Sequence, residues 1–186
     1  LNNAFDDLKT FISRSSTLRS LDLSELENKD HNLEKVLSTL YKNEKLTNFD
    51  LILNKLKNRK IVPIISALIK GPTLETKWNS LHLDSNNLSG EDIKNITPLL
   101  KMMNVRFLSL NDNFSYDPDK KENENIGEIL CDLISECDFL QKLHIRGKNK
   151  HTLGPKITEV LKEISSSDIR EIDFRDNKAG DDFYST

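Results

Sequence analysis

Apolar positions recur along the chain in the order Leu-x-x-Leu-x-Leu, with polar residues between them. Six segments follow this pattern: Leu18, Leu21 and Leu23; Leu46, Phe49 and Leu51; Trp78, Leu81 and Leu83; Val105, Leu108 and Leu110; Leu140, Leu143 and Ile145; Ile169, Ile172 and Phe174. Alternation with a period of two is typical of a β-strand that buries one face. The sequence therefore predicts six short strands that begin near residues 18, 46, 78, 105, 140 and 169.

The stretches between these strands change to the period of an α-helix. Apolar residues at i, i+3, i+4 and i+7 predict an α-helix, and this spacing occurs at Leu33, Val36, Leu37 and Leu40, at Ile157, Val160, Leu161 and Ile164, and, one turn longer, at Ile126, Ile129, Leu130, Leu133 and Cys137. Related stripes at helical spacing are Phe5, Leu8 and Ile12; Ile64, Ile65, Leu68 and Ile69; and Ile93, Ile96, Leu100 and Met103. Pro63 opens the third helix, where its missing N–H is harmless. Ser89-Gly-Glu-Asp92 has the form of a capping box for the fourth.

An asparagine follows most of the predicted strands at a similar distance. Asn54, Asn86, Asn113 and Asn177 fit this position as structural turn residues, while Lys148 replaces asparagine in the fifth copy. An asparagine side chain can bond backbone groups that a turn leaves unpaired. A strand, a turn asparagine and a helix that repeat in phase predict stacked units, each of which buries its apolar face against the next.

The segment Leu81-x-Leu83-x-x-Asn86-x-Leu88, followed by the capping box and a helix, resembles the ribonuclease-inhibitor class of leucine-rich repeats. The resemblance runs from Phe5 to Asn177. It implies an α/β solenoid of about six repeats, curved, with a parallel sheet on the concave side and helices on the convex side. It also implies a module that binds another protein. The asparagine- and lysine-rich, glycine-poor composition further resembles leucine-rich-repeat effectors of intracellular bacterial pathogens.

These patterns predict one domain over residues 1–186, as a piece of a longer chain. Residues 1–17 are expected to form an N-terminal helix or cap, 18–177 the repeats, and 178–186 a truncated turn and helix or a C-terminal cap. We expect a monomer in a reducing, cytoplasmic environment, with secretion by a bacterium into a host cell as the alternative location.

Composition narrows the classes of function. Hydrophobic residues make up 36% of the chain and charged residues 31%, and the net charge is −3. These values argue against a basic nucleic-acid-binding face, and no apolar run approaches the roughly 18 residues of a membrane span. Cys131 and Cys137 lie on one helix, about 240° apart, so we expect two reduced thiols, one in the core and one at its edge.

Residues between the strand leucines are predicted to face a partner. Assuming equal spacing in all six strands, the candidates on the concave face are Asp22, Asp50, His82, Asp84, Phe107, Asn111, Lys142, His144, Arg146, Asp173 and Arg175. The face would be acidic in its N-terminal half and mixed to basic in its C-terminal half. The alternative is that these charges only keep an open sheet soluble.

Three apolar residues at predicted exposed positions favour a binding surface. They are Ile52, Leu53 and Phe107, and a shift of register near Asn54-Lys-Leu56 is a competing explanation for the first two. Phe107 is the cleaner candidate for a binding hot spot. The insertion from Ser115 to Asn125 is expected to be a charged loop, either with a role in recognition or with none.

The sequence contains no motif for catalysis, metal binding or cofactor binding. We therefore expect that the chain is not an enzyme and that it needs neither a metal nor a cofactor. His82 beside Asp50 and Asp84 is more readily explained by exposed ion pairs, and the basic run Lys55–Lys60 by a solvated connector. Trp78 is expected in the core. The function predicted is protein–protein interaction, with two alternatives: a substrate-recruiting or targeting domain of a secreted effector or multidomain enzyme, and a GTPase-regulating or actin-binding scaffold.

Overall fold

A computed structural model describes residues 2–26, 32–56, 61–69, 78–114, 125–147 and 153–177. Within them, short strands alternate with helices along the chain. The strands are β1 Ser20–Asp22, β2 Phe49–Ile52, β3 Trp78–His82, β4 Phe107–Ser109, β5 Lys142–His144 and β6 Glu171–Asp173. The helices are α1 Asn2–Arg14, α2 Asn32–Lys42, α3 Ile61–Ser66, α4 Gly90–Met103, α5 Ile126–Glu136 and α6 Ile157–Ile164, and a short 3-10 turn, Gly154–Lys156, precedes α6.

The six strands form one open parallel sheet in the order of the sequence, β1 to β6. Neighbouring strands are joined through a helix, as a parallel pair requires. Crossovers of this kind are almost always right-handed, which places successive helices on the same side of the sheet. The fold is therefore α/β with a parallel sheet that does not close into a barrel.

The core lies between the strand leucines and the helix stripes. The central positions of the first five strands, Leu21, Leu51, Leu81, Leu108 and Leu143, pair in register. The last four of these are at most 1% exposed. Ile172 of β6 occupies the same position but is 39% exposed, because β6 is the last strand of the described sheet. Burial of this apolar column against the helices is the main stabilising contribution of the fold.

Several predictions about single elements are confirmed. Ser89 and Asp92 form the predicted capping box at the start of α4. Trp78 is 3% exposed and packs edge-to-face on Phe49, with ring centroids 6.2 Å apart. Both cysteines are free, Cys137 buried at the end of α5 and Cys131 half-buried. The third helix differs from its prediction, since it begins at Ile61 and ends at Ser66.

The same backbone turn follows five of the strands. Its second residue has a positive φ of 61° at Glu25, 50° at Lys55, 54° at Ser85, 58° at Asp112 and 63° at Asp176. Strand register places the first four at equivalent positions. Because a positive φ is unfavourable for residues with a Cβ atom, its recurrence marks a turn that each unit needs in the same form.

The second predicted repeat is displaced along the chain. The chain was expected to place Leu46, Phe49 and Leu51 at the three apolar positions, but Leu51 pairs with Leu81 and Phe49 with Trp78. The register shifts between Phe49 and Asp50, where β3 holds one additional residue. A shift of two residues returns every side chain to the same face, so the alternating pattern by itself did not reveal it.

The shift corrects two predictions. Leu53, expected on the exposed face, is 0% exposed and belongs to the core. Asn54 was expected at the position in the second unit that is equivalent to Asn86. Strand register places Leu56 at that position, and Asn54 two residues earlier, at the equivalent of Asp84. Leu56 is apolar and fully buried, and its amide is instead bonded by the side chain of Asn86 in the next unit.

Candidate interaction surface on the open sheet face

The face of the sheet opposite the helices carries three columns of side chains, and we call it the open face. In strand order the columns are Ser20, Asp50, Ser80, Phe107, Lys142 and Glu171; Asp22, Ile52, His82, Ser109, His144 and Asp173; and Ser24, Asn54, Asp84, Asn111, Arg146 and Arg175. Apart from Ser80 and Ser109, all of these are exposed or half-exposed. The eleven residues predicted to face a partner all stand in these columns, although Asp50 lies one column away from its predicted place.

An aromatic row occupies the middle of the open face. The ring of Phe107 lies between two imidazoles, 4.9 Å from the centroid of His82 and 4.7 Å from that of His144. The interplanar angles are 76° and 65°, which are edge-to-face arrangements. The two histidines share one column with Ser109 between them, and Phe107 stands in the neighbouring column of the same strand as Ser109. Phe107 is half-buried and is not part of the apolar core.

The N-terminal half of the open face carries carboxylates that neutral groups hold in place. Asp50 Oδ1 accepts hydrogen bonds from Asn79 Nδ2 at 2.7 Å and Ser80 Oγ at 2.6 Å. Asp84 Oδ1 accepts from Ser109 Oγ at 2.6 Å. Among the described residues, Asp50 and Asp84 form no ion pair, and neither does Asp22. These three carboxylates therefore stand on this half without an ion-pair partner in the part of the chain that the structure describes.

The charges of the C-terminal half largely neutralise one another. Glu171 pairs with Lys142 and lies 3.4 Å from His144 Nε2, and Arg175 binds both carboxylate oxygens of Asp173 at 2.9 and 2.8 Å. The hydrogen bonds from Arg175 lower the pKa of Asp173 to about 2, and the hydrogen bond from Lys142 lowers the pKa of Glu171. The charge gradient predicted from sequence is therefore weaker on this half than the composition of its columns suggests.

Asp50, Ser80 and His82 are joined in one chain of hydrogen bonds, but in an order unsuited to nucleophilic catalysis. The Ser80 hydroxyl lies 2.6 Å from Asp50 and 3.2 Å from His82 Nε2. A nucleophilic serine gives its proton to an imidazole that a carboxylate orients from the far side. Here the hydroxyl stands between the two groups and donates to the carboxylate, so its oxygen accepts from the imidazole. The arrangement fixes the orientation of His82 on the open face.

The electrostatic surroundings of His82 follow from the same geometry. Burial lowers the pKa of its imidazole, and the carboxylates of Asp84 and Asp50 act in the opposite direction. The net change is a decrease of the pKa from its ordinary value near 6.5, which favours the neutral imidazole. The middle of the open face thus presents the rings of Phe107 and His82 on the same half as the carboxylates of Asp50 and Asp84.

The third column forms a ladder of side-chain acceptors that runs forward along the sheet. Each of four side chains accepts the backbone N–H of the equivalent residue in the next unit: Ser24 from Asn54 at 3.1 Å, Asn54 from Asp84 at 2.7 Å, Asp84 from Asn111 at 2.9 Å and Asn111 from Arg146 at 2.7 Å. Asn54 therefore has a structural role in this forward ladder, and not at the turn position to which its spacing assigned it. Asp84 and Asn111, predicted as partner-binding residues, also hold neighbouring units together.

The turn asparagines form a second ladder that runs backward. Asn113 accepts from the backbone N–H groups of Asn86 and Leu88 and donates to the carbonyl of Leu83. Asn86 bonds Leu56 and Leu53 in the same way, and Asn177 bonds Leu153 and Ile145. These three side chains thus bond backbone groups of the unit before their own. Lys148, at the equivalent position of the fifth unit, lies outside the described residues.

The sequence held signals for some contacts that were not predicted. Glu171 and Lys142 occupy one column on adjacent strands, and opposite charges at such positions are expected to pair. The forward ladder would have been visible with the correct frame in the second unit, since its four members all carry an acceptor oxygen. The predicted loop at residues 115–124 and most of the basic run, 57–60, lie outside the described residues.

No described helix is long and apolar enough to cross a membrane. Within the ranges that the structure describes, no group of three or more histidine, cysteine, aspartate or glutamate side chains is arranged to hold a metal ion. No protein-family model and no curated protein sequence matched the chain.

Proposed function

We propose that the chain is a leucine-rich-repeat solenoid of the ribonuclease-inhibitor type, and that it binds a partner protein on the open face. The solenoid is supported by successive units that share a strand, a turn with positive φ and a helix, and by two hydrogen-bond ladders that link them. Such units bury their apolar faces only against their neighbours, which produces an extended surface suited to recognition.

The observation that carries the binding role is the position of Phe107. A phenylalanine on the side of a sheet that no described helix covers gains little from burial in the fold. Phe107 nevertheless stands in a column whose other members are polar, and its ring is held between two imidazoles. Aromatic side chains that are fixed in place and partly exposed are frequent anchors of protein interfaces. The polar columns around it would form the rim of such an interface.

Binding is favoured over catalysis by the chemistry of the same face. Ser80 is the serine that contacts an imidazole on this face. It is 2% exposed, and its hydroxyl donates a hydrogen bond to Asp50 and not to the imidazole. The two cysteines are poor nucleophiles, because burial raises the pKa of Cys131 and raises that of Cys137 to about 12.

Affinity capture from cell lysate with the wild type and Phe107→Ala tests this proposal. Phe139→Ala is the matched control, since Phe139 is a 55% exposed phenylalanine in the turn before β5 and not on the open face. We expect Phe107→Ala to reduce the recovery of specific partners at least about tenfold, the size of effect that hot-spot residues show, while Phe139→Ala recovers them as the wild type does. Equal recovery by all three proteins, each with an unchanged circular dichroism spectrum, would exclude the open face as the binding surface.

A further inference from the structure

The two halves of the open face differ in how much charge they leave for a partner. On the C-terminal half, Lys142 and Arg175 are already paired with carboxylates of the same chain, and Arg146 is the one column cation without an ion pair among the described residues. On the N-terminal half, Asp22, Asp50 and Asp84 have no ion pair among the described residues. A partner that docks on this surface would therefore gain most from carrying positive charge opposite the N-terminal half.

Two of these carboxylates keep oxygens that the fold does not saturate. Both hydrogen bonds that Asp50 accepts reach Oδ1, and no described group donates to its Oδ2. Asp84 Oδ1 accepts two short hydrogen bonds, whereas its Oδ2 receives a single longer one, 3.3 Å from Asn111 Nδ2. Because neutral donors orient these carboxylates, their remaining oxygens are held in place and no cation of the described residues is bound to them.

The aromatic row is connected to both carboxylates through serine side chains. His82 is linked through Ser80 to Asp50, and its ring contacts Phe107, whose strand also supplies the serine that bonds Asp84. Aromatic rings beside oriented carboxylates are the surroundings that bind a guanidinium group. Its plane lies against a ring, while its N–H groups donate to carboxylate oxygens in a fork. A lysine ammonium lacks both the plane and the fork.

We propose that the N-terminal half of the open face is a docking site for an arginine-bearing segment of the partner protein, received by Phe107, His82 and the carboxylates of Asp50 and Asp84. This inference rests on the proposed function and makes it specific. The partner's arginine would stack on the aromatic row, and flanking residues of its segment would lie along the columns.

Selection from a random peptide library displayed on phage tests the inference without knowledge of the natural partner. The library is selected on the wild-type protein and depleted on Phe107→Ala, so that the peptides retained depend on the open face. We expect one position of these peptides to be enriched in arginine over lysine. A synthetic peptide with citrulline, the neutral analogue of arginine, should bind at least about tenfold more weakly.

Asp50→Asn provides the matching change in the protein. The asparagine carbonyl can still accept from Asn79 and Ser80, so the variant removes the charge and keeps those contacts. We expect about the same loss of affinity as for citrulline. Asp7→Asn, which removes an exposed carboxylate on α1, should leave the affinity within about twofold. The citrulline comparison uses the unaltered protein and gives a result even if Asp50→Asn folds poorly.

The outcomes separate the inference from the proposed function. Peptides that depend on Phe107 but show no preference for arginine, or that bind equally well with citrulline, would overturn the arginine assignment and leave the open face as a binding surface. Equal enrichment of lysine and arginine would overturn it as well. If no peptide distinguishes the wild type from Phe107→Ala, both proposals are wrong.

Discussion

Replacing Asn113 by alanine removes four hydrogen bonds, three of which join two units. The Asn113 side chain is 2% exposed, and its Oδ1 lies 2.8 Å from the amide nitrogen of Asn86 and 3.2 Å from that of Leu88. Its Nδ2 donates to the carbonyls of Leu83 and Asn111 at 2.9 and 3.2 Å. Alanine has no group that can replace any of these contacts.

The cost follows from the number of backbone groups left without a partner. An unsatisfied buried donor or acceptor costs about 1–3 kcal/mol, so two buried N–H groups give about 3 kcal/mol or more. Asn54→Ala is the informative comparison, since sequence spacing assigned Asn54 the same role. The half-buried side chain of Asn54 accepts one backbone hydrogen bond, from the N–H of Asp84. Loss of this hydrogen bond should lower the free energy of unfolding by about 1 kcal/mol.

Urea unfolding followed by circular dichroism measures the difference. With a slope of about 2 kcal/mol per molar urea, the midpoint should fall by about 1.5 M for Asn113→Ala and about 0.5 M for Asn54→Ala. Since stacked units can unfold in segments, amide hydrogen exchange is the second measurement, and the amides of Asn86 and Leu88 should lose protection first. Equal midpoints for the two variants would refute the assignment of the two asparagines to different ladders.

Three further predictions concern other parts of the chain. Ser89→Ala should lower the free energy of unfolding by about 1 kcal/mol in thermal or urea unfolding, because it removes the capping box of α4; no change would argue against the cap. The carboxyl of Asp173 should titrate near pH 2 by NMR and nearer its ordinary value in Arg175→Gln. Because its pKa is lowered in the folded state, the stabilisation from this pair should be present above about pH 4 and disappear as the pH falls toward 2, and identical titration in both proteins would exclude the pair. At pH 8 an alkylating reagent should modify Cys131 before Cys137, because burial raises the pKa of the Cys137 thiol to about 12. Faster labelling of Cys137 would contradict its burial.

Much of the fold was predictable because its forces act locally. Leucines spaced two and three residues apart predicted the strands, and stripes at helical spacing predicted the helices between them. Asn86, Asn113 and Asn177 were identified as turn residues from their spacing, since the bonds they make serve turns with a fixed offset from each strand. The capping box at Ser89 was predictable for the same reason.

The candidate site was predicted less completely. Its eleven residues were assigned to the correct face, because side chains alternate between the two faces of a strand. Which of them contact one another was not evident. The sequence showed Lys142, Asp173 and Arg175 as charges on a surface, whereas the structure pairs them with Glu171 or with each other. The row of His82, Phe107 and His144 joins residues from three strands, and their contact depends on the register between those strands.

The sequence by itself determined the order of strands and helices, the buried stripe of each and the face that stays open, since these depend on the period of apolar residues. Tertiary structure decided the frame of the second unit. There, alternation permits Asn54 in either of two positions, and the burial of Leu53 and Leu56 selects one. It also decided that neutral donors hold the carboxylates of Asp50 and Asp84. Local pattern fixes which side of a strand a residue faces, but partners across strands depend on register, which is set only when neighbouring units pack together.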